Sequence, residues 1–495
     1  MPAQLTTRAQ VNGYRFLLRR LDHALVRRDV RMLHDPMRSQ MRSFLVSAIL
    51  GLLVVAGAAI LAFIRPQGSI GNANIVMGKD SGALYVVVKD SSGTQVLHPV
   101  LNLASARLIA GSSESPTAVK DSMLRSLPRG PILGIPGGPA ALPGSVQGAR
   151  SDWTLCDAVQ LSSTGSALSS SGVITTVLSG RPVLGERVRA FDRSSAILVQ
   201  RNDKTYLIYD GKRAEVDTQN QVIARSLNLA LQSARSISPG LLDAAPEAQK
   251  LTPPEIPHAG EPGPGRLSTV PVGAVIRAAV NGSDNSYLYV VLAEGVQRIS
   301  PFTAQVIRNT NSQGMSDILP MAPDVVSLVP VVTKLPVDQF PYDIPKILAA
   351  EDQPYTCLSW AKAQGTGPVT DGPADRASLI MLAGTQLPLA DSARPVDLAT
   401  ADGTGDRVDA VYVPPSSGEF VQVTGIRAGS PRRESLFYVA DNGTRYGIPD
   451  LDTADKLGLG KNPKLAPWEI IGQLVPGPAL SRWDALVQRD SLSTR

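Results

Sequence analysis

The sequence predicts a single-pass membrane protein whose outer body is α+β, with four small ββα-like repeats around a disulfide-stapled central β-rich domain. Three observations predict it. One long uncharged apolar run lies close to the N-terminus, a strand–turn–strand–helix pattern recurs four times, and the chain's two cysteines sit in matching tryptophan-containing settings between those copies.

The basic head comes first. Nine of the 48 basic residues and three of the 43 acids lie in residues 1–42, so the head carries +6 while the remaining 39 basic and 40 acidic residues nearly cancel. The body therefore gives no electrostatic reason to bind nucleic acid. Val11, Tyr14, Leu18, Leu21 and Leu25 step by three and four, which lays one apolar stripe along a helix with arginines on the other sides. Such a helix either lies on anionic lipid or docks a cytoplasmic partner.

Residues 43–64 follow, 22 residues without a charge between Arg42 and Arg65. As a helix they span about 33 Å, enough for a hydrocarbon core of about 30 Å. The arginine-rich flank marks the cytoplasmic side and puts residues 65–495 across the membrane. The long basic region and the length of the run favour an uncleaved anchor over a signal peptide, although Ala56 and Ala58 imitate a cleavage site. Gly51, Gly57, Ala58 and Ala59 leave room for a neighbouring helix, a weak signal in a segment of this kind.

In the body, four stretches start at Ala83, Lys204, Tyr287 and Ser435 with a Tyr/Val-type strand. Each turns at a glycine step (Ser92-Gly93, Asp210-Gly211, Glu294-Gly295, Asn442-Gly443), and a second strand and a short helix follow. The spacing is uneven, so these are copies around a centre and not a fixed-period solenoid. The expected units are a first repeat (65–126), the N-terminal half of the central domain (127–200), a second repeat (201–251), a Pro/Gly linker (252–266), a third repeat (267–320), the C-terminal half of the central domain (321–430), and a fourth repeat with the tail (431–495). Cys156 and Cys357 fall one in each central half; in an oxidising compartment they most simply pair, the alternative being two buried thiols.

A search for chemistry is negative, and we expect no catalytic, cofactor-binding or metal-ligating residues. The nearest approach to a phosphate cradle, Gly458-Leu-Gly460-Lys461-Asn, lacks the leading glycine and the hydroxyl residue. No nucleophile elbow or metal-ligand spacing occurs. His98 reads as structural, and Asp402, Asp406 and Asp409 read as an ordinary acidic loop.

Taken together, the motifs resemble the EccB family, membrane components of the type VII (ESX) secretion machinery. They include Gln10-Val11-x-Gly13-Tyr14-Arg15-Phe16-Leu17, Pro66-Gln67-Gly68, His98-Pro99-Val100-Leu101-Asn102-Leu103, Trp153-Thr154-Leu155-Cys156-Asp157, Ala466-Pro467-Trp468 and Leu480-Ser481-Arg482. The resemblance runs along nearly the whole chain. It implies an inner-membrane location with a cytoplasmic N-terminus and a periplasmic body. It also implies partnership with an EccC-type FtsK/SpoIIIE motor ATPase, EccD, EccE and further copies of the chain, for export of small WXG100, PE and PPE-type proteins. Members of the family are often labelled ATPases. The residues favour a non-enzymatic scaffold, with ATP hydrolysis or another ectoenzyme activity as the alternative.

Overall fold

The structure, a computed structural model, describes residues 7–28, 30–31, 36–64, 70–89, 92–162, 172–279, 286–363 and 376–490. It divides into two compact units, one made of residues 1–73, 78–81 and 117–126, the other of the rest of the chain.

The first unit holds the two N-terminal helices. The helix Arg8–Arg27 opens on a capping box in which the Thr7 side chain takes the N3 amide and Gln10 reaches back to the Thr7 amide at 3.0 Å. The helix Pro36–Ile64 begins on a proline, which suits the first helical position because its missing amide has no partner to lose. Its stretch Gln40–Leu61 is long and apolar enough to cross a membrane.

The larger unit is built on a seven-stranded sheet with the order Val396–Asp397, Ala410–Tyr412, Val173–Ser179, Arg150–Val159, Tyr355–Ala363, Ser378–Gly384, Val188–Ala190. Its two central strands pair antiparallel in a register that sets Trp153 opposite Trp360, Leu155 opposite Leu358 and Cys156 opposite Cys357. Alternation then sends the tryptophans and leucines to one face and the cysteines to the other. Both faces are covered, so these strands are buried along nearly their whole length, polar residues such as Thr154 and Ser359 included.

Around this sheet stand four smaller ones, each a three-stranded antiparallel meander followed by a helix. The meanders begin at Ile75–Gly78, Ser195–Arg201, Val275–Ala279 and Gly418–Thr424. Their helices are Leu103–Ala110, Gln221–Ser226, Pro301–Thr310 and Leu451–Lys456. Every one of these helices starts at a side-chain cap: Asn102, Asn220, Ser300 and Asp450 each accept a backbone amide of the first turn.

The ββα unit expected from the sequence is therefore too short, because a strand precedes each hairpin. The second, third and fourth repeats also continue past the helix. There a short strand (Arg235–Ser236, Leu319–Met321, Lys464–Pro467) runs parallel beside the first strand of its meander. A second short helix follows it (Pro239–Ala244, Pro323–Ser327, Trp468–Ile471), and the chain then bridges the third strand in parallel.

The stretch 252–266, expected as a linker, is folded onto the third repeat. Gly260 and Gly263 donate their amides to the Val272 and Val270 carbonyls, and Ile256 packs against the cluster shared by the second and third repeats.

The repeats meet through their helices. The first helices of repeats two and three share one apolar cluster, with Asn309 Nδ2 donating to Ser226 Oγ at 2.9 Å. Leu108 of the first repeat packs with Ala454 and Leu457 of the fourth, and Arg107 Nη1 donates to the Leu457 carbonyl at 2.7 Å. The second helices of repeats two and four, carrying Leu241, Leu242, Ile470 and Ile471, close over the tryptophan face of the central sheet.

Candidate functional site

The head-helix residues stay on the surface. Val11, Tyr14, Leu18, Leu21 and Leu25 are 40, 65, 45, 58 and 76% exposed, and Leu17, which the three-four spacing leaves out, lies at the edge of the same arc at 56%. At about 100° per residue the five fall within roughly 80° of one another, while Arg8, Arg15, Arg19 and Arg20 take other sides. Among the described residues nothing buries this stripe, whereas His23, on the other side of the helix, is buried.

The second predicted feature is present. Cys156 and Cys357 form a disulfide joining residues 201 positions apart. It links directly paired residues of the two central strands, and Thr154 Oγ1 donates to Ser359 Oγ at 2.9 Å one step along. Trp153 and Trp360 are fully buried beneath repeats two and four.

Buried polar groups fasten the repeats to this sheet. Asp157 accepts the Ser238 amide at 2.7 Å and the Thr175 hydroxyl at 3.0 Å. Burial pushes its carboxyl up to about 6, against the pull of those donors and of Arg201. Arg235 donates to the Leu348 and Gln353 carbonyls and to Thr356 Oγ1 at 2.6, 2.8 and 2.8 Å, and burial brings its guanidinium down to about 10. It still carries its charge at neutral pH. Arg213 and Arg445 occupy equivalent places in repeats two and four. Arg213 donates to the Leu242 carbonyl, and Arg445 to those of Leu474 and Gly472, so each seals the C-terminal end of the second helix in its own repeat. Nothing in their local sequence marks these roles: Asp157 is a lone acid in an apolar run, and Arg213, Arg235 and Arg445 lie in ordinary polar stretches.

One place brings a hydroxyl, an amine and a carboxylate together. Lys464 Nζ donates to Ser145 Oγ and lies 3.2 Å from Glu419 Oε2, and Ser145 Oγ donates to Glu419 Oε1 at 2.7 Å. A serine nucleophile needs a neutral amine as its base. Here Lys464 is instead paired with the buried Glu419, and the three side chains tie the fourth repeat to residue 145.

The other motifs resolve as structural. Gly458 and Gly460, with φ of 81° and 76°, lie just past the C-terminal end of the helix Leu451–Lys456, and Lys461 pairs with Asp455 at 3.5 Å. A phosphate there would face helix carbonyls and not amides, the opposite of a phosphate cradle. His98 Nδ1 lies 3.0 Å from the Pro131 carbonyl, and a Cβ on Gly130 would collide with its ring. Of the acidic loop, Asp409 is buried and accepts the Thr175, Asp402 and Gly403 amides, whereas Asp406 pairs with Arg201. Among the described residues no group of three or more His, Cys, Asp or Glu is placed to hold a metal ion.

Among the described residues one helix is long and apolar enough to cross a membrane, and it stands beside an exposed apolar stripe and a large body braced by buried polar contacts, the features of a membrane-anchored subunit. The family model described as "Type VII secretion system ESX-1, transport TM domain B" matches residues 3–494. The chain belongs to this EccB family. It is 39% identical over 505 residues to "ESX-3 secretion system ATPase EccB3" of Mycolicibacterium smegmatis, covering 99% of this chain and 92% of the relative. It is 36% identical over 494 residues to "ESX-5 secretion system ATPase EccB5" of Mycobacterium tuberculosis, with 99% and 94% covered. Among solved structures it matches a chain of an intact ESX-5 inner membrane complex with a TM-score of 0.71 and 34% identity, over 100% of this chain and 98% of that one. It also matches an EccB3 dimer from the ESX-3 core complex with a TM-score of 0.69 and 36% identity, over 84% and 100%.

Proposed function

We propose that this chain is a structural subunit of a type VII secretion complex in the inner membrane. Its N-terminal head lies in the cytoplasm and its four repeats and central sheet in the periplasm. The observation that carries the reading is similarity over the full length to a subunit of an assembled ESX-5 membrane complex, apolar helix and outer body included. In this reading the chain joins an EccC-type FtsK/SpoIIIE motor, EccD and EccE in the membrane, and the stripe from Val11 to Leu25 docks on the cytoplasmic side of that complex. The outer body assembles with further copies of itself, and the complex exports small WXG100, PE and PPE-type proteins.

The names of the relatives, each called a secretion system ATPase, point to a second reading, ATP hydrolysis by the chain itself. Against it stands the position of Gly458-Leu-Gly460-Lys461 at the wrong end of a helix, and the ion pair that occupies Lys464.

The test uses affinity-tagged full-length chain in gentle detergent, as wild type and as Leu18→Asp or Leu21→Asp. The reading predicts that the wild type carries a motor ATPase with it and that either substitution releases the motor. Normal recovery of the motor with both variants refutes the docking role. ATP turnover by the purified outer body, abolished by one side-chain change, would favour the second reading.

A further inference from the structure

A cleft of about 700 Å3 opens where repeats two and four meet the central sheet. Three arginines line it. Arg376 stands just before the central strand Ser378–Gly384, and Arg427 and Arg432 lie in the loop between the strands Gly418–Thr424 and Leu436–Ala440 of repeat four.

The loop is folded so that these side chains converge. Ser430 Oγ accepts the Gly425 and Arg432 amides at 3.1 and 3.4 Å, and Arg433 Nη1 donates to the Ser430 and Arg432 carbonyls. The Ala377 amide donates to the Ala428 carbonyl at 2.9 Å, which ties the loop to the central sheet. That bond brings Arg376 onto the loop, with its Nη2 3.4 Å from the point a Cβ on Gly429 would occupy. Arg433 thus takes up loop carbonyls that would repel an anion. Ser430 Oγ, already accepting two amides, keeps its own proton to donate.

The protein compensates these charges poorly. Among the described residues Arg376 and Arg427 have no carboxylate partner, and Arg432 reaches only Glu434, at 3.9 Å. Asp243, also on the lining, pairs with Arg213 at 3.0 Å. Glu469 differs from the rest of the lining, because its Oε2 is buried and accepts no hydrogen bond. Converging like charges are relieved by an anion, and a buried oxygen without a donor is costly until a donor arrives.

We propose that this cleft binds a phosphate ester that also carries an ammonium or hydroxyl donor. The phosphate sits on the guanidinium groups of Arg376, Arg427 and Arg432 and on the Ser430 hydroxyl, and the donor meets Glu469 Oε2. Guanidinium forks match phosphate oxygens, and the cleft has the volume of a small-molecule site. A free ester and a phospholipid headgroup present this same chemistry.

Calorimetric titration of the full-length chain in a maltoside detergent, which carries no phosphate, tests the site with O-phosphoethanolamine and inorganic phosphate. The proposal expects O-phosphoethanolamine to bind with a Kd below about 1 mM and more tightly than inorganic phosphate. Arg376→Gln with Arg427→Gln should weaken both probes by about tenfold or more, and Glu469→Met should remove only the preference between them. Unchanged urea midpoints confirm that the variants fold. Equal binding by the arginine variant and the wild type means an adventitious ion only and overturns the site. Binding of O-phosphoethanolamine no tighter than inorganic phosphate in the wild type overturns the pairing of the two groups. Nanodiscs separate the sources: a headgroup ligand blunts the titration in phosphatidylethanolamine but not in phosphatidylcholine, whereas a free ester binds equally in both.

Discussion

Replacing Asp157 by Asn isolates the energetics of one buried carboxyl. In the folded chain its pKa is about 6, and 3.8 is the ordinary value for an unfolded aspartate. The folded state therefore binds this proton more tightly than the unfolded state does. The contribution to stability is full below pH 3.8 and is lost as pH rises through 6. That gap amounts to about 3 kcal/mol, of which about 2 kcal/mol falls between pH 4.5 and 7.5. An asparagine keeps an acceptor for the Ser238 amide and presents an NH2 group to Thr175, whose hydroxyl accepts as readily as it donates. At pH 7.5 the variant should equal or exceed the wild type. Its advantage should shrink by about 2 kcal/mol at pH 4.5. Urea unfolding of the full-length chain in detergent, followed by tryptophan emission, measures both, since Trp153 and Trp360 report on the central sheet from its interior. Parallel pH profiles for the two proteins, or a loss above about 2 kcal/mol at pH 7.5, would refute the assignment.

Other substitutions probe the remaining contacts. Replacing Cys156 and Cys357 together by Ser frees a loop of 201 residues. It should lower stability by up to about 5 kcal/mol in the chain-entropy model, read as a fall in urea midpoint that reductant reproduces in the wild type. Glu419→Ala leaves the Lys464 ammonium buried and should destabilise by about 3–5 kcal/mol, whereas Glu419→Leu with Lys464→Met should recover most of the loss. Trp360→Ala opens a cavity under repeats two and four and should lower stability by about 3–5 kcal/mol in the same assay. Leu18→Asp lies on an exposed face and should leave the urea midpoint of the outer body unchanged.

The regions of the fold legible in the sequence were those with a strong local signal. An uncharged run of 22 residues has few physical alternatives to a membrane helix. The strands Lys204–Tyr209 and Lys212–Val216 were readable because Asp210-Gly211 joins them with φ of 46° and 70°, the left-handed pair a tight hairpin needs. The preceding strand Ser195–Arg201 was missed because its turn, Asn202-Asp203, adopts the same conformation without a glycine to mark it. The closing strands, such as Arg235–Ser236, are two to four residues long, and the helices Pro239–Ala244 and Pro323–Ser327 are six and five, all too short to show a period.

The polar contacts were illegible for a different reason. Arg235 meets Thr356 across 121 residues and Lys464 meets Ser145 across 319, and no spacing in the chain announces either. The disulfide was readable from two cysteines that both follow the apolar run, given an oxidising compartment there, and the bond decides against two buried thiols. The stripe of the head was readable from its three-and-four spacing, and its five residues are exposed.

The most direct test of the account is the native mass and composition of the full-length chain after gentle extraction from its own membrane. A large assembly containing several copies of this chain, a motor ATPase and further membrane subunits is the predicted result. A lone chain, or a dimer with no other subunit attached, would contradict it.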